Sequence, residues 1–186
     1  MSVLSRIRGT LCRLAGRFTR REDGAVTVDF VIVVPAFLMI LVAGIESGVT
    51  LTRQVILDRA LDIAVRDLRL GRIEDPSHAK LRTSICENVV IIANCETVLL
   101  LELVEVPTRP WDLPAPGTQC IDRDAEIEPE VTFETGGSND MMLIRACVII
   151  DPLFPTTPFG LGLPLDATGG YQLFAMAAFV NEPRDM

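Results

Sequence analysis

An apolar run of twenty-one residues, 25–45, constrains this chain more than any other feature of its sequence. Only Thr27 and Asp29 interrupt the run with polar side chains. As an α-helix the run is roughly 31 Å long, at about 1.5 Å per residue, which matches the hydrocarbon core of a bilayer. The whole chain has a mean hydropathy of +0.36, which is high for a soluble protein. We therefore predict a single-pass membrane protein with one spanning helix.

Basic residues flank this run on one side only. Six arginines lie within residues 1–24, and the next basic residue is Arg53. Because an excess of arginine marks the cytoplasmic side of a span, we expect a cytoplasmic N-terminus and a periplasmic or otherwise extracytoplasmic C-terminal part. Against Glu22 and Asp23 the six arginines give +4, which leaves −12 for the rest of a chain whose net charge is −8. An acidic extracytoplasmic part argues against nucleic-acid binding.

The helical pattern continues beyond the apolar run. Apolar residues recur at a period near 3.6 to about Leu70, and Gly71 suits the C′ position of a helix end. We expect the apolar stripe to pack against the rest of the domain, and Glu46 to be solvated at the outer membrane boundary. The predicted parts are a basic leader (1–24), a long helix that spans the membrane in its first half (25–70) and an extracytoplasmic α+β domain (71–186).

The extracytoplasmic domain contains one helix signal and several strand signals. Asp75-Pro76 predicts an N-cap and first residue for a short helix that reaches about Cys86. Acidic residues around 122–130 are expected to form a solvated surface rather than a calcium site, since no EF-hand pattern is present. The fold class is α+β, with three or four antiparallel strands under the long helix. The predicted strands are 96–106, a β-hairpin of 130–134 with 141–150, and a last strand at 171–180.

Four of the five cysteines follow the apolar run, whereas Cys12 precedes it. An even number of cysteines in an oxidising compartment predicts two disulfides, for which three connectivities are possible. We favour Cys86 with Cys95, because this pair closes a short loop, and Cys120 with Cys147, which ties an acidic loop to a strand.

Motifs typical of catalysis are missing from the sequence. The chain has one histidine and no GxSxG, P-loop or HExxH pattern, and its cysteines lack the spacing of a zinc site. We therefore expect neither an enzyme nor a bound metal or other cofactor.

The junction between the leader and the apolar run has the properties of a cleavage site. Gly24 weakens helix continuity and offers no side chain to obstruct a peptidase, and Ala25 is similarly small. Cleavage between them would create an amine at Ala25, four residues before Asp29 on the same helix face. Two alternatives stay open: Gly24 is a plain junction before a helix, or Asp29 is stabilised by the helix dipole and lipid head groups alone.

These residues, together with motifs further along, resemble those of TadE-like minor pseudopilins of the tight-adherence (Tad/Flp) pilus system. In that family the leader ends in glycine, and an acid and an aromatic residue follow at mature positions five and six, as Gly24, Asp29 and Phe30 do here. The family usually has glutamate in place of Asp29, which is one methylene shorter. Further matches are Gly44-Ile45-Glu46, Gly48, Arg53-Gln54, Gly136-Gly137, Asp140, Arg145, Asp151-Pro152-Leu153 and Pro155.

The resemblance implies that a prepilin peptidase cuts after Gly24 and that the product remains in the inner (cytoplasmic) membrane. It also implies a part in the biogenesis of an adhesive pilus. The implied partners are the prepilin peptidase, the inner-membrane assembly platform, other pseudopilins, the major pilin and membrane lipid. The residues by themselves leave an alternative open, an uncleaved single-pass membrane protein whose extracytoplasmic domain binds a ligand or another envelope protein.

Overall fold

The computed structural model of the protein describes residues 25–107, 109–110, 114, 119–125, 129–156, 160 and 162–182. The leader expected at residues 1–24, including Gly24 and Cys12, lies outside the described residues. The chain divides into two compact units, Met1–Val42 and Ala43–Met186. Its elements are α1 (Ala25–Arg69), α2 (His78–Glu87), α3 (Cys95–Val98), β1 (Leu99–Glu105), β2 (Met141–Ile150) and β3 (Tyr171–Val180).

Helix α1 is long and apolar enough to cross a membrane. Its most apolar window has a mean hydropathy of 2.7, and none of that window is buried within the protein. Phe30 and Ile40, for example, are 64% and 73% exposed. Apolar side chains packed in a soluble core are normally buried, so this part of the helix has the exposure expected of a surface that faces lipid.

Helix α1 ends at Arg69, and Gly71 follows it with a φ of +65°. The N–H of Gly71 donates to the carbonyl of Leu68 at 3.1 Å, and the N–H of Arg72 donates to the carbonyl of Asp67 at 3.0 Å. These two bonds form a Schellman motif, in which a left-handed residue at C′ satisfies the last carbonyls of a helix. Gly71 thus occupies the C′ position expected from the sequence.

The second unit contains a three-stranded antiparallel sheet in the order β1-β2-β3. Leu101 faces Ala146 across the first pair, and Ala146 faces Ala175 across the second. One face of the sheet packs on the second half of α1, where Leu57 and Leu61 are almost fully buried. The predicted α+β class and its antiparallel sheet are confirmed. The predicted stripe also contributes to the core, through Ile56, Ala60, Ala64 and Leu68.

Two predicted boundaries are wrong. The N-cap of α2 is Ser77 rather than Asp75, and the Ser77 side chain accepts a hydrogen bond from the N–H of Lys80 at 3.3 Å. A hydroxyl directly before the first helical residue reaches that donor, whereas Asp75 lies two residues too early. The first predicted strand begins at Leu99 and not at residue 96, because α3 occupies Cys95–Val98.

The predicted hairpin of residues 130–134 with 141–150 is also wrong. Phe133 forms a parallel bridge with Leu103 of β1. The N–H of Leu103 donates to the carbonyl of Thr132 at 3.0 Å, and the N–H of Glu134 donates to the carbonyl of Leu103 at 2.9 Å. Both edges of β2 are taken by β1 and β3, so the 130–134 segment pairs with the outer edge of β1 instead.

Candidate functional site

The expected processing junction lies at the beginning of α1. Gly24 is outside the described residues, and Ala25 is the first residue of the helix. Asp29 and Phe30 are both exposed, and Asp29 makes no hydrogen bond or ion pair with any residue that the structure describes. A charged residue at the centre of a bilayer costs about 2.5–3.5 kcal/mol on insertion scales, and less near the interface, so a partner for this carboxylate would favour its place in the membrane.

Glu46 is fully buried, which contradicts the expectation of a solvated residue. Its Oε1 accepts the N–H of Leu153 at 3.0 Å, and its Oε2 accepts the N–H of Phe154 at 2.8 Å. A carboxylate is buried at low cost only when hydrogen bonds compensate it, and bonds to a charged acceptor are among the stronger ones. These two bonds, called here the Glu46 contact, join α1 to the backbone that follows β2.

Three further polar residues of α1 extend this contact along the helix. Nη1 of Arg53 donates to the carbonyl of Asp151 at 3.2 Å and to the hydroxyl of Tyr171 at 3.0 Å. Oγ1 of Thr50 lies 3.3 Å from the same hydroxyl. Nε2 of Gln54 donates to the carbonyl of Phe174 at 2.7 Å. The Arg53-Gln54 pair therefore connects the helix to the end of β2 and to β3.

A second cluster of polar groups surrounds Arg123 on the same side of the sheet end. Nη1 of Arg123 lies 2.7 Å from Oδ1 of Asp151, and Nε donates to Oγ1 of Thr168 at 2.8 Å. Nη2 also donates to Oγ1 of Thr168 and lies 3.9 Å from Oδ1 of Asp166. We call Arg123, Asp151, Asp166 and Thr168 the Arg123 cluster. It ties together the two ends of the connection between β2 and β3.

Asp166 accepts several hydrogen bonds within this cluster. Its Oδ1 accepts the N–H and the hydroxyl of Thr168 at 2.9 and 2.8 Å, and the N–H of Gly170 at 2.8 Å. Burial raises the pKa of Asp166, but the hydrogen bonds from Thr168 and Gly170 and the charge of Arg123 together lower it below the ordinary value of 3.8. Asp166 is therefore held as a carboxylate at neutral pH.

Gly170 is required by the close approach of two side chains. A Cβ at this position would lie 2.5 Å from Nη2 of Arg123 and 2.5 Å from Cγ2 of Ile149. Any other residue would displace both of these atoms. The glycine therefore lets the Arg123 cluster approach the backbone of β3.

The four cysteines that follow the apolar run form two disulfides in the structure. Cys86 at the end of α2 is bonded to Cys95 at the start of α3, with their Cα atoms 5.6 Å apart. Cys120 is bonded to the buried Cys147 of β2, with a Cα separation of 5.2 Å. This is the connectivity favoured on sequence grounds.

Two distal motifs of the resemblance also have defined structural roles. Arg145 is 8% exposed and its Nη2 lies 2.7 Å from Oε1 of Glu102, its cross-strand neighbour. The N–H of Gly137 donates to Oδ2 of Asp140 at 2.6 Å, which closes the turn before β2. Both motifs therefore stabilise the sheet and its connections.

A cleft of about 720 Å³ adjoins the Arg123 cluster. Its lining includes three arginines and three acidic residues, so its charges are balanced. Within the described part of the chain, no group of three or more His, Cys, Asp or Glu residues is arranged to hold a metal ion. The charged residues of the lining are Arg53, Arg82, Arg123, Glu96, Asp122 and Asp151.

Sequence reasoning missed the Glu46 contact and the Arg123 cluster. The resemblance had marked Glu46, Arg53 and Asp151-Pro152-Leu153 as separate motifs, and the structure brings them together. The sequence offers a carboxylate directly after an apolar run and an uncharged segment after Asp151, but no local feature that pairs the two. It does not identify the donors, because they lie more than a hundred residues away.

Comparison with known proteins gives one match. Residues 24–66 match the family described as TadE-like protein, a span that runs from Gly24 through the Glu46 and Arg53-Gln54 positions of α1. No curated protein and no solved structure matches the chain. The family suggests a protein associated with the Tad pilus that interacts with other pilus proteins. The apolar helix suggests a single-pass membrane protein.

Proposed function

We propose that the chain is a TadE-like minor pseudopilin of a Tad-type adhesive pilus, because residues 24–66 match the TadE-like family. A prepilin peptidase cuts it between Gly24 and Ala25, and the mature chain takes part in pilus biogenesis. The observation that carries the proposal is that the family match begins at Gly24 and that the exposed Asp29-Phe30 pair of α1 follows at the fifth and sixth residues after it.

The charge distribution supports the inner membrane as the location, with the N-terminus in the cytoplasm. Six arginines precede the span within residues 1–24, which favours their retention on the cytoplasmic side. The second unit is then periplasmic, where the oxidising environment is compatible with the Cys86–Cys95 and Cys120–Cys147 bonds.

Cleavage supplies the partner that Asp29 lacks among the described residues. It removes the leader and leaves a new α-amino group at Ala25, which stands four residues from Asp29 on one helix face. The amine neutralises the carboxylate within one subunit or in a neighbouring subunit during assembly. Aspartate, being one methylene shorter than the usual glutamate, requires a closer approach of the amine.

The proposed partners follow from this role. The prepilin peptidase acts on the junction, and the inner-membrane assembly platform receives the mature protein together with other pseudopilins and the major pilin. The helix contacts membrane lipid, and the acidic second unit binds no nucleic acid. The protein acts as a structural component and not as an enzyme, in keeping with the pilus family that it matches.

The experiment that tests the proposal is the determination of the mature N-terminus. The full chain is expressed with an active prepilin peptidase, purified from membranes and analysed by intact mass spectrometry. We expect a chain that begins at Ala25. A chain that still begins at Met1 would contradict the proposal and favour the alternative, an uncleaved single-pass membrane protein whose second unit binds an envelope partner.

A matched pair of variants locates the cut. Gly24→Val places a branched side chain at the junction and is expected to block processing. Gly16→Val introduces the same side chain eight residues upstream, and processing is expected to continue. Equal processing of both variants would place the cleavage site elsewhere.

A further inference from the structure

The connection between β2 and β3 contains an unusual uncharged segment. Residues 152–165 form a run of fourteen residues without a charge, in a chain of which 23% is charged. The run contains two phenylalanines and four leucines. Surface connections are normally polar, yet Leu153 is 48% exposed, Phe154 37% and Leu165 39%. We call residues 152–165 the apolar loop; residues 157–159 and 161 lie outside the described residues.

The Glu46 contact determines where this loop begins. Both oxygens of the Glu46 carboxylate accept N–H groups of Leu153 and Phe154, so these two residues lie against α1 at the level of Glu46. In the sequence, Glu46 directly follows Ile45, the last residue of the apolar run. Leu153 and Phe154, at the start of the loop, thus lie beside the residue that marks the outer end of the predicted span.

The two acidic residues that flank the loop are compensated locally. Asp151 lies 2.7 Å from Nη1 of Arg123, and Asp166 lies 3.9 Å from Nη2 while accepting three hydrogen bonds. Pairing and hydrogen bonding lower the cost of bringing a carboxylate close to an apolar phase. The loop therefore has an uncharged body, and the carboxylates at its base are paired with Arg123 or hydrogen-bonded.

We infer that the first residues of the apolar loop contact the membrane, with Leu153 and Phe154 inserted into the interfacial region of the periplasmic leaflet beside Glu46 of α1. The inference rests on the membrane topology given under the proposed function. Lipid is the occupant because Leu153 and Phe154 bind Glu46, which directly follows Ile45 at the end of the apolar run. Apolar and aromatic side chains with few charges enter the boundary between head groups and acyl chains to a depth of about 5–10 Å.

Tryptophan quenching by brominated lipid tests this contact. The only native tryptophan is removed by Trp111→Phe, and Phe154→Trp or Leu153→Trp is introduced in the full chain. The protein is reconstituted alone into phosphatidylethanolamine and phosphatidylglycerol vesicles, with or without bromine on the acyl chains. An insertion depth of about 5–10 Å predicts a fall in emission of roughly two-fold or more in brominated vesicles.

Val180→Trp in the same background is the matched control. Val180 is 48% exposed, and the nearby Glu182 pairs with Arg69 at the far end of α1. Arg69 is twenty-three residues beyond Glu46, about 35 Å along a helix, so this tryptophan is expected to keep its emission. Equal quenching of the Phe154→Trp and Val180→Trp proteins, or none in either, would overturn the inference.

Two further measurements distinguish a lipid contact from a protein contact, and a failure of this inference from a failure of the proposed function. Emission that is insensitive to brominated lipid but shifts to shorter wavelength when other pilus proteins are added would overturn the lipid contact in favour of a protein partner. The N-terminus of each sample is measured in parallel. Processed protein without quenching rejects only the loop contact, whereas quenching in unprocessed protein rejects only the cleavage.

Discussion

Two carboxylates on helix α1 have opposite environments. Asp29, in the first unit, is exposed and makes no hydrogen bond with any described residue, whereas Glu46, in the second unit, is fully buried and accepts two backbone N–H groups. A carboxylate in or beside an apolar helix needs compensation in either place. Glu46 obtains it from its own chain, and we propose that Asp29 obtains it from the amine that cleavage creates.

The same contrast holds for the two units as wholes. In the first unit the apolar side chains of α1 remain exposed, as is expected of a helix that crosses a membrane. In the second unit the apolar side chains form a core, polar groups pair across long sequence separations, and two disulfides crosslink the chain. Substitutions that disrupt internal pairing should therefore destabilise the second unit and leave the first unchanged.

Loss of the longer disulfide should have the largest effect. Cys120 and Cys147 are separated by 27 residues, and the chain-entropy relation predicts that Cys120→Ala with Cys147→Ala lowers the free energy of unfolding by about 3.5 kcal/mol. The Cys86–Cys95 disulfide closes a shorter loop, with a sequence separation of 9 residues. Its removal by the matched pair Cys86→Ala with Cys95→Ala should lower the free energy of unfolding by about 2.6 kcal/mol. Urea unfolding of the full chain in detergent micelles measures both. Non-reducing peptide mapping that finds other pairings, or free thiols, would contradict the prediction.

Replacement of Glu46 should have the next largest effect. Glu46→Leu leaves the N–H groups of Leu153 and Phe154 without their acceptor, and each unsatisfied buried donor costs about 1–3 kcal/mol. Because both hydrogen bonds are only partly buried, we expect a loss in the lower part of the summed range, about 2–4 kcal/mol. Glu46→Gln keeps one acceptor oxygen and should lose about half as much.

Asp29→Asn is the control for this comparison, because it neutralises the other carboxylate of the same helix. No internal partner is lost, so the free energy of unfolding should change by less than about 0.5 kcal/mol. Urea unfolding in micelles measures all three variants. Equal losses in Glu46→Leu and Asp29→Asn would remove the distinction between the two carboxylates.

The parts of the fold that follow from local chemistry were predictable from the sequence. Gly71 marks the end of α1 because a glycine in the left-handed region closes a helix through its own backbone bonds. The last strand, 171–180, matches β3 because it is bounded by a Gly-rich turn and a polar end. The 130–134 hairpin failed for the opposite reason: local alternation does not reveal that β1 and β3 already occupy both edges of β2.

The same distinction between local and long-range features applies to the residues of the candidate site. Asp29 and Phe30 are candidates because their spacing from Gly24 is a local pattern, and their part in processing stays a prediction. The burial of Glu46 was not predictable, since its donors at Leu153 and Phe154 are 107 and 108 residues away. A residue at the end of an apolar run has no local feature that distinguishes a solvated carboxylate from a buried one.

A methyl group at Gly170 should have a smaller effect. The Cβ of Gly170→Ala would lie 2.5 Å from Arg123 and Ile149, and overpacking of this kind costs about 1–3 kcal/mol. Gly44→Ala is the control, because no atom lies within 4 Å of its added Cβ and alanine has the higher helix propensity. Thermal unfolding should show a lower midpoint for the first variant and an unchanged or higher one for the second. Matching shifts in the two would argue against the close approach at Gly170.

The smallest effect concerns the dependence of stability on pH. The pKa of Asp166 is lowered in the folded protein, so the ionised carboxylate contributes to the free energy of unfolding. This contribution is fully present above pH 3.8, the ordinary pKa, and is lost as the pH falls through the lowered pKa of the folded state. Asp166→Asn should therefore cost about 1–2 kcal/mol at neutral pH, through weaker hydrogen bonds from Thr168 and Gly170, and progressively less in acid. Urea unfolding at neutral pH and below pH 3.8 measures the difference between variant and parent. A difference that stays constant over that range would mean that the charge of Asp166 contributes nothing, and that only the shape of its side chain holds the base of the apolar loop.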